Sequence, residues 1–144
     1  MKNMTSLDLA QAALAATDAW LEAYRERDME RASRAFAADT GVVVFGTGPD
    51  ERCIGLANIR EHLQRDWAQA EASSIERGHT TTRVSGGTVI VAFDCRFGYC
   101  VDEHHQTTSG RATIVFELQD TQLTITHAHF SVPAAAQPAG RSFW

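Results

Sequence analysis

The chain has 144 residues, a net charge of -5, 44% hydrophobic and 22% charged residues. This is the size and balance of a single globular domain and excludes wholesale disorder. Lys2 is the only lysine and the arginines are scattered, so no basic stripe forms and neither nucleic acid nor an anionic membrane is an expected partner. Cys53, Cys95 and Cys100 form no Cys-x-x-Cys pair and read as buried, reduced thiols of a cytoplasmic protein. Met1 to Asp8 holds no apolar run of the kind a signal peptide needs. No stretch reaches the roughly 20 apolar residues of a transmembrane helix.

The chain opens with a predicted helix over Ser6 to Arg27, rich in Ala, Leu, Glu and Arg. Its apolar stripe is Ala13, Ala16, Trp20 and Tyr24, widened by Leu14 and Leu21. Asp28 is an expected N-cap of a short second helix burying Met29, Ala32 and Phe36. The β-branched run Val42-Val43-Val44-Phe45 predicts a short strand, stopped by Gly46-Thr47-Gly48-Pro49-Asp50. A third helix is expected from Gly55 to about Ala72, with Ile59, Leu63 and Trp67 on its apolar face. Four long strands should follow. The first spans Ser74 to Val84, and the second alternates Val89, Val91, Phe93, Cys95, Phe97 and Tyr99. The last two cover Arg111 to Leu118 and Leu123 to Val132. Gly86-Gly87 and Asp120-Thr121 are the turns, Asp102 to Ser109 is read as a polar connection, and residues 134–144 as an irregular tail. Helices first and a strand meander afterwards indicate an α+β fold, an antiparallel sheet with helices on one face. One domain over residues 1–144 is expected, its core between about 7 and 133.

Three local patterns give a resemblance. They are Trp20-x-x-x-Tyr24-x-x-x-Asp28, the turn Gly46-Thr47-Gly48-Pro49-Asp50-Glu51-Arg52-Cys53-Ile54-Gly55, and Gly110-Arg111-Ala112-Thr113 followed by His127-Ala128-His129-Phe130-Ser131-Val132-Pro133. Together they resemble the SnoaL-like and ketosteroid-isomerase-like branch of the nuclear transport factor 2-like superfamily. The resemblance implies a cone-shaped half-barrel of cystatin-like architecture. In it a strongly curved, mostly antiparallel sheet and three N-terminal helices enclose a pocket, and dimers form through the outer sheet face. It also implies a wide choice of functions, from isomerases, cyclases and hydrolases to assembly modules, so the fold alone names none.

The strongest polar group in the last strand is His127, His129 and Ser131, which share one face with Ile125, successive side chains standing about 7 Å apart. Facing the cone, the two imidazoles would suit general acid–base work. Asp94 is the further catalytic candidate, the best carboxylate if its face is interior. Arg52, Arg96 and Arg111 are candidates to turn inward, to pair with Glu51 or Asp94 or to meet a carboxylate ligand. Trp20, Tyr24, Phe45 and Trp67 complete the expected pocket wall with Arg52, Arg111, His127, His129 and Ser131. A His-x-His strand pair needs a third ligand to hold a metal, and none is designated, so no metal is expected. His104 and His105 read as solvated. No phosphate loop, Gly-x-Gly-x-x-Gly or Ser-His-Asp order occurs, and no cofactor is expected.

Departures from ketosteroid isomerase narrow the resemblance. That family's general-base Asp has no counterpart in Val42-Val43-Val44-Phe45, and its helix-one Tyr aligns with Trp20, so steroid-type proton transfer is disfavoured. Two functions remain open. The first is a small-molecule-binding homodimer, with isomerase, cyclase or hydrolase action on a small organic substrate as the form an activity would take. The second is an association module similar to that of calcium/calmodulin-dependent kinase II.

Overall fold

Thr5 starts the first helix by a reciprocal cap: its hydroxyl accepts the Asp8 N–H at 3.1 Å, and the Asp8 carboxylate accepts the Thr5 N–H at 3.0 Å. The structure, a computed structural model, describes residues 4–143; Met1 to Asn3 of the N-terminal reading and Trp144 of the tail lie outside it. Helix α1 runs Ser6–Glu26 and ends on Arg27, a left-handed cap at φ 59°. The Arg27 guanidinium then donates to the carbonyls of Trp67 at 2.7 Å and Ala70 at 2.5 Å, tying α1 to the end of the third helix. Asp28 caps α2, Met29–Arg34, through the Arg31 N–H.

Strand β1, Val43–Phe45, pairs antiparallel with β2, Arg52–Ile54, a three-residue strand that the sequence reading placed inside a turn. Gly55 follows at φ 81°, where a side chain would be strained, and its N–H bonds to the Val42 carbonyl at 2.9 Å. Helix α3 spans Leu56–Gln69, and β3 spans Ala72–Ser85. Strand β4 spans Thr88–Val101, β5 His104–Gln119 and β6 Gln122–Ser131. The expected connection at Asp102 to Ser109 is instead a tight turn. Asp102 and Glu103 sit at φ 51° and 65°, the geometry of a two-residue hairpin loop, and β5 begins at His104. The stretch is polar because both of its faces meet water, so it carries no alternating signal.

The six strands form one curved, unclosed sheet in the order β2-β1-β6-β5-β4-β3. All pairings are antiparallel except β1 with β6. Helix α1 lies across the sheet against β3, β4 and β6. Registered rows separate the two faces. Cys53, Val44, Ala128, Ile114 and Val91 form one row on the inner face; all but the half-buried Val44 are buried. The neighbouring outer row is Arg52, Phe45, His129, Thr113 and Ala92. Such rows follow from the two-residue period of strands. Gly110 is required by a close approach, since a Cβ there would overlap the Phe97 ring and the Ser131 carbonyl.

Candidate functional site

Between α1, α3 and the concave sheet face lies a cavity of about 510 Å³. Its walls are chiefly apolar, with Trp20 from α1, Ile59 and Leu63 from α3, and Ile75, Phe97 and Phe130 from the sheet. Trp20 stacks on Phe130 with ring centroids 5.8 Å apart, and its indole N–H donates to the Ala32 carbonyl at 3.1 Å. The wall is therefore held rigid by α2 as well as by the sheet.

Polar side chains converge on one part of this lining. Tyr24, Glu51, His62 and Asp66 all face it. Tyr24 donates its hydroxyl to Asp66 Oδ2 at 3.0 Å. Glu51 Oε2 accepts the Gly48 N–H at 2.6 Å, so the Gly-rich turn before β2 aims the carboxylate inward. His62 and Asp66 stand one helical turn apart on α3. His62 Nε2 lies 3.3 Å from Glu51 Oε1 and 3.9 Å from Asp66 Oδ1. Burial pushes the Asp66 carboxyl up, against the Tyr24 hydrogen bond, which lowers it. Burial also raises the Tyr24 phenol, helped by the Asp66 charge, and raises the Cys53 thiol, helped by Glu51. His62 Nε2 and Ser73 Oγ, both in residues of the lining, are buried without hydrogen-bond partners. Buried polar atoms are ordinarily satisfied.

Of the residues expected to line the pocket, the structure brings Trp20 and Tyr24 to it. His127, His129 and Ser131 turn to the opposite, convex face. The reason is a β-bulge: Val115 pairs with His127 but Phe116 pairs with Ile125, leaving Thr126 as an extra residue in β6. The bulge reverses the alternation, so Ile125, Ala128 and Phe130 are buried while His129 is exposed. Ile125 is fixed there by its own backbone, which bonds to the Ala35 carbonyl and the Ala37 N–H, each at 2.9 Å. Arg111 and Asp94 are paired neighbours on the same convex face, in a shallow depression with Arg96. Phe45, Arg52 and His129 border another shallow depression beside the Gly46–Asp50 turn. Trp67 packs against the core, its indole donating to the Tyr24 carbonyl at 3.1 Å. Arg52 is exposed, and Glu51 meets Arg65 at 3.4 Å rather than any of the proposed inward arginines.

Sequence reasoning passed over His62 and Asp66. A signal was present: with Ile59, Leu63 and Trp67 on the buried stripe of α3, positions 62 and 66 fall on that stripe's edge. Two titratable residues at the edge of a buried stripe are a marker for a site.

A curved open sheet, helices across its concave side and a largely apolar cavity with a few convergent polar groups define the cystatin-like, nuclear transport factor 2-like class of fold. Within that class the chain belongs to the SnoaL-like domain family, whose sequence model matches residues 13–135. No curated protein matches it in sequence. A nuclear transport factor 2-like superfamily protein of Salmonella enterica has a similar structure at 18% identity, covering 96% of this chain and 100% of that one, with a TM-score of 0.83. A proposed dehydratase of the nuclear transport factor 2-like family from Streptomyces avermitilis is 19% identical over 91% of this chain and 100% of its own, with a TM-score of 0.82. A proposed calcium/calmodulin-dependent protein kinase II association domain from Xanthomonas campestris is 18% identical over 93% and 95%, with a TM-score of 0.76. These likenesses establish the fold. No helix among the described residues is long and apolar enough to cross a membrane.

Proposed function

We propose that the protein binds a small, uncharged or cationic organic molecule in the cavity and acts on a hydroxyl or carbonyl group of it by proton transfer. The observation carrying this reading is the segregated lining: apolar and aromatic walls, with Tyr24, Glu51, His62 and Asp66 gathered together. An apolar body would fill the walls while one polar group met that cluster. No Arg or Lys is among the lining residues, and Arg65, which reaches Glu51 at 3.4 Å from outside, lies closer to Asp50 at 2.7 Å, so a carboxylate would face two acidic side chains with no cation in the lining to receive it. A ligand hydroxyl or carbonyl there would meet the carboxylates and the unpartnered His62 Nε2 as the groups that can exchange a proton with it, while the Tyr24 hydroxyl, already given to Asp66, holds that carboxylate in place. The chemistry fits isomerisation, cyclisation or elimination of water. The resemblance to a proposed dehydratase is in keeping with it.

Thermal shift measurements over a panel of neutral aromatic alcohols and ketones, amines, and the matching carboxylic acids test the reading. Stabilisation by neutral or cationic members that is lost in Trp20→Ala and in Phe130→Ala is the expected outcome. Preferential stabilisation by the acids would overturn it.

The homodimer implied by the family resemblance is proposed through the convex face. There Ile54 and Ile90, 53% and 37% exposed, lie in the row Ile54, Val43, His127, Val115, Ile90. The kinship with an association domain offers the competing reading of a larger ring. Light scattering separates a dimer from a ring.

A further inference from the structure

We propose that Glu51, His62 and Asp66 form a binding site for a divalent transition-metal cation such as Zn2+, Mn2+ or Co2+. The site uses the polar part of the cavity but does not depend on the organic ligand proposed above. One ligand atom from each of the three residues lies within 4.8 Å of the other two. Atoms bound to one cation at roughly 2.0–2.2 Å lie no more than about 4.4 Å apart, so a small side-chain rotation closes the set.

Three further observations point the same way. His62 Nε2 is buried and makes no hydrogen bond, although Glu51 Oε1 is 3.3 Å away, so that nitrogen is aimed at the cluster without a partner. Each carboxylate has its other oxygen held in place: Glu51 Oε2 by the Gly48 N–H at 2.6 Å, and Asp66 Oδ2 by the Tyr24 hydroxyl at 3.0 Å. Outer-shell bonds of this kind orient metal ligands and leave one oxygen of each group directed inward. The third is electrostatic: two carboxylates brought together in a half-buried place repel unless a positive charge lies between them. Arg65 reaches Glu51 Oε1 at 3.4 Å, but its closer partner is Asp50 at 2.7 Å, on the solvent side.

The donor set, one imidazole and two carboxylates, suits Zn2+, Mn2+, Fe2+ or Co2+ and disfavours Cu+, which prefers sulfur. Three protein ligands leave coordination positions facing the cavity, as in open rather than structural sites. A hydroxyl or carbonyl of a cavity ligand, or a water, would occupy them.

The test is titration of chelator-treated full-length protein with Zn2+, Mn2+ and Co2+ by calorimetry, with the visible spectrum of the Co2+ form as a second readout. One cation per chain is expected, with affinity falling by more than roughly tenfold in His62→Ala and in Asp66→Asn. His127→Ala/His129→Ala, which removes the exposed imidazole pair on the convex face, should leave affinity unchanged. Circular dichroism and melting curves check that the variants are folded. If His62→Ala does not fold, Glu51→Gln and Asp66→Asn carry the comparison. The proposal is overturned if none of the three cations binds at millimolar concentration, or if binding follows the His127/His129 pair. It is equally overturned if affinity survives loss of His62 or Asp66. Thermal shifts by organic compounds in the presence of chelator report on the pocket reading separately, so the two ideas fail independently.

Discussion

Burial governs the chemistry of the individual titratable residues. The thiols of Cys53, Cys95 and Cys100 are all buried and all pushed up. Cys95 is raised to about 11, by burial first and by the neighbouring Asp94 charge second. Thiolate is the reactive form, so native alkylation should be slow at about pH 8 for all three. At Cys95 the rate should still be climbing at about pH 10, where an ordinary thiol, with a pKa of roughly 8.5, has levelled off. In denaturant all three should react quickly. Mass spectrometry of timed iodoacetamide labelling checks this, and rapid stoichiometric labelling of the folded protein would count against it. The same reasoning explains why Tyr24 and Asp66 are held together. A half-buried phenol and a half-buried carboxyl, both raised by desolvation, are held together by the hydrogen bond that the phenol gives to the carboxylate.

At the scale of elements, the decisive feature is the extra residue Thr126 in β6. It separates a core segment ending at Ile125 from one carrying Ala128 and Phe130, and sends both imidazoles outward. Two neighbouring positions should therefore respond very differently. Ala128, 1% exposed against the inner row, has no room for a charge, and Ala128→Asp should cost more than about 3 kcal/mol or abolish folding. His129→Ala should change stability by less than about 0.5 kcal/mol and leave the cavity's ligand binding intact. Urea denaturation of both variants provides the measurement; comparable losses would mean that the β6 register is different. On α3 the periodicity of Ile59, Leu63 and Trp67 was legible, because an amphipathic helix displays its buried stripe in sequence. That His62 and Asp66 meet Glu51 was not, since Glu51 arrives from the turn before β2.

Across the whole molecule, the sheet offers two faces of different character. The concave face, covered by helices, holds the cavity. The convex face exposes Ile54 and Ile90 among His, Arg and Thr side chains. A homodimer formed there should convert to monomer with Ile90→Glu, read by light scattering, while the shifts produced by cavity ligands persist. A ring, or a dimer indifferent to this substitution, would place the interface elsewhere.

The α+β class, the helix order, the long β3–β6 meander and the family were all legible in the sequence. The first three are written in local periodicity, caps and turns, which depend on neighbouring residues alone; the family shows as a resemblance of three local motifs. The short strand β2 and the polar start of β5 were not, because the first lies within a turn-rich stretch and the second exposes both faces. The site was decided by tertiary structure for a similar reason. A single-residue bulge, set by the backbone pairing of Ile125 with Ala35 and Ala37, inverts which side chains face inward. The convergence of Tyr24, Glu51, His62 and Asp66 requires three separate elements to be packed against one another. Local patterns carry a strand's alternation but not the long-range contact that shifts its phase.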